Sequence, residues 1–360
     1  MIRKFKIKNF RGFHEFEFNN LAKINLISGK NNVGKTALLE ALFLHYGSSN
    51  PQLTFIINSF RGGEMSFDIK PSTLTPYDSL FFDFDQQKIV ELISVDQFNN
   101  VKSVKISQNP KENLLRTNRG IKSKDSDVST SAQVFDQGDY PILDFEDIEE
   151  NKHTHYQLQI TPQGLKINRP VKLKFETHFI SSSHKSSKQD AKFFGELDKI
   201  NPDYIIEIEK TLQIIDKRLK RLKILPEGSD FIIQADIGLN RPLPLIFMGE
   251  GMSKITTILL RISHAKNGVV LIDEIENGFH FSILKDVWRA IFDAANKFNV
   301  QIFITTHSYE SIKAAYLVSL ETNEENFVLH RLVRVENEIQ HKVLDKSKLA
   351  LAIESHFEVR

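Results

Sequence analysis

Gly29-Lys30-Asn31-Asn32-Val33-Gly34-Lys35-Thr36 sits between a short apolar run, Lys23-Ile24-Asn25-Leu26-Ile27-Ser28, and a second apolar stretch that begins at Thr36. The octet follows G-x-x-x-x-G-K-[ST], the pattern of a nucleotide phosphate-binding loop. The first flank predicts a strand feeding the loop. The second predicts a helix over 36–44, with Leu38, Leu39, Ala41 and Leu42 on its apolar side and Gly47 as the stop. Gly29 and Gly34 let the backbone curl, so that successive N–H groups along Lys30, Asn31, Asn32 and Val33 point at phosphate oxygens. The helix N-terminus adds positive potential there. Lys35 is a point charge for the β- and γ-phosphates, and Thr36 offers its hydroxyl to Mg²⁺. A glycine- and asparagine-rich turn would share the pattern; the strand and helix in register favour nucleotide binding.

The 360 residues suffice for a large core and suggest one elaborated domain or two. Hydrophobic residues make up 41% and charged residues 26%, which is ordinary for a globular protein. No apolar run nears the length of a membrane span, so no membrane association is expected. Residues 1–8 alternate charged and apolar side chains, a strand pattern and not a signal peptide. With no cysteine there can be no disulfide and no thiolate metal site, which fits a cytoplasmic protein. The formal net charge of +1 gives no global argument for nucleic acid binding.

Along the chain, Ile2–Asn9 and Phe13–Phe18 alternate on either side of Asn9-Phe10-Arg11-Gly12, predicting two antiparallel strands and a tight turn. Ser59-Phe60-Arg61-Gly62-Gly63 breaks the pattern, and 88–95 and 100–108 look like strands. Residues 109–135 are rich in Lys, Asn, Ser, Asp and Thr and predict a mobile excursion or hairpin tip. A polar stretch at 181–188 precedes helical spacing over 190–222, marked by Ile205, Ile208, Leu212, Ile215, Leu219 and Leu222. The last third alternates again. Buried-type strands are expected at 268–272 and 300–305, with an amphipathic helix at 283–298 that holds Trp288. Near-continuous apolar strands separated by helices predict a parallel sheet covered on both faces.

Val269-Val270-Leu271-Ile272-Asp273-Glu274 is an apolar strand ending in two carboxylates. At the carboxyl edge of the sheet Asp273 would lie beside the phosphate loop and hold Mg²⁺, directly or through water. Glu274, one position on, is the candidate general base or water orienter. A plain strand with an acidic turn would look the same in isolation. Met248-Gly249-Glu250-Gly251-Met252-Ser253-Lys254 opens a helix expected at 255–262 and makes a second anion-binding N-terminus of Gly249, Glu250 and Gly251. Such a turn has a clear use if two copies face each other, each offering it to the other's γ-phosphate. His307 follows the strand ending Ile304-Thr305-Thr306 and could hydrogen-bond the γ-phosphate or the attacking water. Glu276-Asn277-Gly278-Phe279-His280 is placed to turn the chain across a dimer interface.

Taken together these residues resemble the ABC-type ATPase heads of the SMC, RecF and OLD group. Ile7-Lys8-Asn9-Phe10-Arg11-Gly12-Phe13 is similar to that group's opening strand and turn, which implies a nucleotide-binding role for Arg11. Gly29–Thr36 matches its Walker A, Met248–Ser253 loosely its signature turn, and Val269–Glu274 its Walker B. Glu276–His280 stands where its D-loop would be, and His307 where its switch histidine would be. More narrowly, the chain is similar to the small AAA-labelled ATPases of bacterial antiphage operons, relatives of the ATPase parts of OLD nucleases and of the PARIS and Septu systems. There are departures. Met248 replaces the serine usual before the signature glycines, and Gln86 and Gln87 are only candidates for a Q-loop glutamine. There is no long heptad region, and about fifty residues follow His307, little room for a Toprim nuclease.

The resemblance implies an α/β P-loop fold of ABC/SMC-head type, a mixed sheet with flanking helices, N-terminal antiparallel strands and a helical insertion. Its expected parts are an N-terminal lobe at 1–175 with Walker A and an antiparallel β-subdomain, a helical insertion at 176–245, and a C-terminal lobe at 246–360. The implied function is an Mg²⁺-dependent ATPase switch that closes as a head-to-head homodimer, or higher homo-oligomer, around ATP. It would control a separately encoded effector, a nuclease or toxin, in defence against phage. The alternative is a RecF-like repair ATPase that binds duplex DNA directly, with Lys217-Arg218-Leu219-Lys220-Arg221-Leu222-Lys223 as its best support. On a helix that run is more often a solvated face with Leu219 and Leu222 turned to the core. A module using ATP only as a structural ligand is disfavoured by Lys35, Asp273 and Glu274.

Overall fold

Residues 1–61, 77–109, 142–150, 152–161, 164–168, 177–182, 188–228, 230–336 and 338–355 are described by a computed structural model. The expected excursion at 109–135, save its first residue, lies outside them, as do Gly62-Gly63 and residues 183–187 of the second polar stretch. The chain divides into two compact units, one of residues 1–4, 18–43 and 174–360, the other of residues 5–17 and 44–173. The phosphate-loop segment thus groups with the C-terminal part of the chain.

β1 (Ile2–Phe10) and β2 (Phe13–Phe18) form the predicted hairpin, with Asn9 and Arg11 in the left-handed region at its turn. β3 (Ile24–Ser28) feeds the loop, and α1 (Lys35–Tyr46) leaves it. Most of α1 is buried, Glu40 included, so it has no distinct polar face. After α2 (Leu53–Ser59) come β4 (Val90–Asp96), β5 (Val101–Asn109), β6 (Ile142–Glu149), β7 (Lys152–Thr161) and β8 (Gly164–Ile167). They continue a seven-stranded sheet in the order β2-β1-β4-β5-β6-β7-β8. Its pairings from β4 to β8 are antiparallel, as expected of strands joined in series.

The other unit is built on β3. β9 (Thr177–Ile180), β13 (Val269–Ile272), β14 (Gln301–Thr305), β15 (Phe327–Val335) and β16 (Glu338–Leu344) join it in the order β16-β15-β3-β14-β13-β9. All the pairings are parallel except β15–β16. Every residue of β3, β13 and β14 is buried, the signature of parallel strands covered on both faces. The covering helices include α5 (Glu250–His264), α6 (Leu284–Phe298), α7 (Tyr309–Glu321) and α8 (Lys346–Glu354). In the core beneath them Trp288 is fully buried, and its indole N–H donates to Ser311 Oγ at 3.2 Å. The α/β class and mixed sheet are as the motifs implied.

The stretch read as helical over 190–222 departs from expectation. α3 (Lys188–Ile200) and α4 (Pro202–Ile215) form, with Asn201 capping and Pro202 at the first position of α4. The helix then stops at Asp216, whose backbone is extended and whose carboxylate accepts from the Arg218 N–H at 3.0 Å. Residues from 221 on form a three-stranded sheet of β10 (Arg221–Glu227), β11 (Asp230–Asp236) and β12 (Leu243–Pro244). Leu219 and Leu222 are buried, but one lies in a turn and the other in a strand, so their helical spacing is coincidental.

Candidate functional site

Because β14 lies between β3 and β13, the end of β14 comes up between the phosphate loop and the acidic pair. Gly29 has φ 147°, and a Cβ there would meet the Leu332 carbonyl oxygen at 2.7 Å, so only glycine fits. Asn32 and Gly34 also have positive φ, which gives the loop its curl. Lys30, Asn31 and Asn32 are exposed, and Val33 is buried beneath them. Lys35 is buried, its ammonium donating to the carbonyls of Gly29 at 2.7 Å and Lys30 at 3.0 Å. Burial lowers its pKa, while Asp273, Glu274 and Glu276 favour the charged form.

The Thr36 hydroxyl donates to Asp273, 3.0 Å from Oδ2 and 3.3 Å from Oδ1. Burial pushes the Asp273 carboxyl above the ordinary aspartate range, against the hydrogen bonds from Thr305 and Thr36. A hydroxyl and a carboxylate in contact, one on the loop helix and one at a strand end, form a hard-oxygen pair of the kind Mg²⁺ takes alongside phosphate oxygens. The donor set therefore fits a magnesium nucleotide.

Glu274 is half-buried and left-handed, at φ 49°, an uncommon state for a non-glycine residue. Thr305 Oγ1 accepts its N–H at 2.8 Å and donates to Asp273 Oδ1 at 2.5 Å. One hydroxyl thus fixes both neighbours. Asn277 Nδ2 donates to Glu274 Oε2 at 2.7 Å. His307 is exposed, yet its main-chain N–H donates to Glu276 Oε1 at 2.7 Å and its Nδ1 lies 2.8 Å from the same oxygen. The Thr306 hydroxyl donates to Glu276 Oε2 at 2.7 Å. Glu276, expected only to turn the chain, is the group that orients His307.

The Gly249–Gly251 turn lies in the same unit, at the start of α5, but its glycines have other causes. Gly249 has φ 100°, and a Cβ there would point into open space, so its backbone conformation alone favours glycine. Gly251 sits against the Gly278 carbonyl, which a Cβ would approach to 2.8 Å, and Gly278 sits equally close to Glu250. Packing within the chain already requires glycine at 251. Glu250 is exposed. Arg11 belongs to the other unit, where it donates to Asn58 Oδ1 at 3.0 Å and lies over the Phe10 ring. Gln86 donates to Asp78 Oδ1 at 2.6 Å, also in that unit, and Gln87 is exposed.

The basic run is not a helical face. Arg218 pairs with Asp216 at 2.7 Å, Arg221 with Glu209 at 3.4 Å and Lys223 with Asp236 at 3.2 Å. Local acids match much of the charge that a phosphate backbone would need. Sequence reasoning gave no side-chain contact to Thr305 or Asn277 and no orienting part to Glu276. The one available signal was a threonine pair at a buried strand end, just before His307.

A protein-family profile described as "AAA domain, putative AbiEii toxin, Type IV TA system" matches residues 24–313. An "ATP/GTP phosphatase" of Helicobacter pylori is 25% identical over 334 residues, 87% of either chain. An uncharacterized protein of Methanocaldococcus jannaschii is 46% identical over 56 residues, 16% of this chain and 26% of that one. Among solved structures, an SMC head bound to the C-winged helix domain of ScpA has a TM-score of 0.49 at 12% identity, covering 97% of this chain and 99% of that chain. The SMC head domain from Thermotoga maritima has a TM-score of 0.43 at 10% identity, covering 96% and 99%.

Proposed function

The chain belongs to the family of AAA domains described as putative AbiEii toxin, Type IV TA system, and from that premise we propose that this ATPase is a switch. Two copies close head to head around ATP, and the closed state controls a separately encoded effector, a nuclease or toxin, in defence against phage. The observation that carries this reading is the contact of Thr36 with Asp273 at 3.0 Å, beside a Glu274 held in the left-handed region.

Each residue then has a task. The loop N–H groups from Lys30 to Gly34 bind phosphate oxygens, and the Lys35 ammonium leaves its loop carbonyls for the β- and γ-phosphates. Thr36 and Asp273 would hold magnesium, which supplies charge neutralisation on the phosphates when bound. Glu274 orients the attacking water and accepts its proton, and His307, set by Glu276, hydrogen-bonds the transferring phosphoryl group. Closure draws support from the surface beside the turn. Ile246 and Phe247, just before it, are 52% and 74% exposed, and Phe281, just after the 276–280 segment, is 67% exposed. Exposed aromatic side chains beside such a turn suit burial against a second copy.

The test is Glu274→Gln, co-purified from its native operon and sized with and without ATP. ATP binding should persist, hydrolysis should fall about a hundredfold to ten-thousandfold, and a closed pair, with any effector, should accumulate. Wild-type turnover, or a monomer at saturating ATP, would refute the switch.

A further inference from the structure

Lys254 occupies an unfavourable place for a charge. It is 6% exposed in the second turn of α5, between buried Ser253 and Ile255. Its ammonium donates to two main-chain carbonyls, those of Glu274 at 2.8 Å and Asn277 at 2.9 Å, and lies 5.8 Å from the centre of the Phe279 ring. Burial draws its pKa down to about 8, against Glu276, Glu250, Glu274 and Asp273, which favour the charge. A buried cation facing peptide carbonyls acts on the main chain.

The two carbonyls bracket the segment that sets Glu274. Asn277 also holds the Glu274 carboxylate through its side chain. On the helix side, Gly251 and Glu250 lie against Gly278. The start of α5 and the loop after β13 therefore interlock twice, through the glycine contact and through Lys254. The glycine contact is van der Waals, whereas the lysine contact consists of two directional hydrogen bonds to peptide carbonyls.

We propose that Lys254 is a positioning residue for hydrolysis. By tying the peptides of Glu274 and Asn277 to α5, it makes the placing of the Gly249–Gly251 turn and the aiming of Glu274 a single event. Its ammonium is taken up by the two carbonyls and acts through Glu274, so the proposal rests on the role given to that residue. The ATP bound at one copy's phosphate loop would then be hydrolysed only when that copy's turn is seated on its partner.

The experiment compares Lys254→Met with the unmodified full chain. ATP affinity should stay within about threefold and the ATP-dependent pair should still form, while kcat falls about tenfold to a hundredfold, the usual effect of a small misplacement. A purely structural lysine would instead lower the melting temperature and leave the turnover of folded protein unchanged. In the Glu274→Gln background, Lys254→Met should slow the reaction no further, because both act through one group. If Lys254→Met does not fold, Lys254→Gln serves in the same comparisons. Wild-type kcat in a folded variant overturns the proposal, and so does an equal loss with and without Glu274→Gln. Slow Glu274→Gln with normal Lys254→Met sinks Lys254 alone, whereas normal Glu274→Gln sinks the role of the glutamate itself.

Discussion

The phosphate loop and the Gly249–Gly251 turn are both glycine turns that open a buried helix in the same unit, yet they are built differently. Around the loop, side chains converge: Lys35 on the loop carbonyls, Thr36 on Asp273, Thr305 on both Asp273 and Glu274. Around the turn, the close contacts are of main chain with main chain, methylene and ring: Gly251 on the Gly278 carbonyl and the Phe279 ring, and Gly278 on Glu250. The loop gathers an ammonium, a hydroxyl and a carboxylate within hydrogen-bonding reach of one another or of the loop main chain. The turn has a shape and an exposed apolar margin, and any ligand chemistry there must come from its N–H groups and from a second copy. Two similar glycine spellings thus have different surroundings, converging polar side chains at one and close main-chain packing at the other.

The sharpest way to break that contrast is Lys35→Ala. It removes the ammonium without touching the sheet, so ATP affinity measured by calorimetry should fall at least about a hundredfold, the scale of a charge-assisted phosphate contact. Thermal unfolding without nucleotide should barely move. Tight ATP binding by the folded variant would remove the loop's special status. Thr305→Val is the next step down. It keeps the β-branched shape suited to a buried strand but removes the acceptor of the Glu274 N–H and the shorter of the two hydrogen bonds to Asp273 Oδ1. Turnover should fall about tenfold to a hundredfold, with a higher Mg²⁺ concentration for half-activity, and Thr305→Ser should recover most of it. Unchanged turnover and Mg²⁺ dependence in the valine variant would mean that Asp273 and Glu274 are held by other groups.

Phe247→Asp addresses the turn and should have the smallest effect. Gly251→Asp would disturb the Gly278 contact and confound closure with folding, whereas Phe247 is 74% exposed. A charge there should weaken the ATP-dependent pair several-fold in sedimentation, about 1 kcal/mol, and leave ATP affinity at the chain's own loop unchanged. A pair of undiminished stability would place the apolar margin outside the interface.

Much of this contrast was legible before any fold was known. The octet 29–36, with an apolar run on each side, marked the loop, strand and helix. Val269–Glu274 likewise marked a buried strand ending in acids. Such motifs are legible because each residue answers a local demand: φ at Gly29, charge at Lys35, burial along the strand. The glutamate–histidine clamp of Glu276 on His307 was not, since it joins two loops 31 residues apart. Lys254 was hidden because nothing local marks a lysine whose partners are carbonyls 20 and 23 residues away. The helix wrongly extended to Leu222 failed for the opposite reason. Apolar residues at 219 and 222 fit a helical period, but the Asp216 turn breaks the chain first and strand alternation takes over.

The place of β3 between β14 and β15 has a consequence for synthesis. Neither neighbour exists until residues 301–335 have been made, and the Ile2 amide waits for a glutamine 299 residues further on. On the ribosome the strand that bears the phosphate loop is therefore an apolar segment with no sheet to join, while the serial antiparallel strands can already pair. Closing such distant contacts is slow and leaves apolar surface exposed meanwhile. The sheet that carries the phosphate loop is therefore among the last parts of this chain to be completed during synthesis.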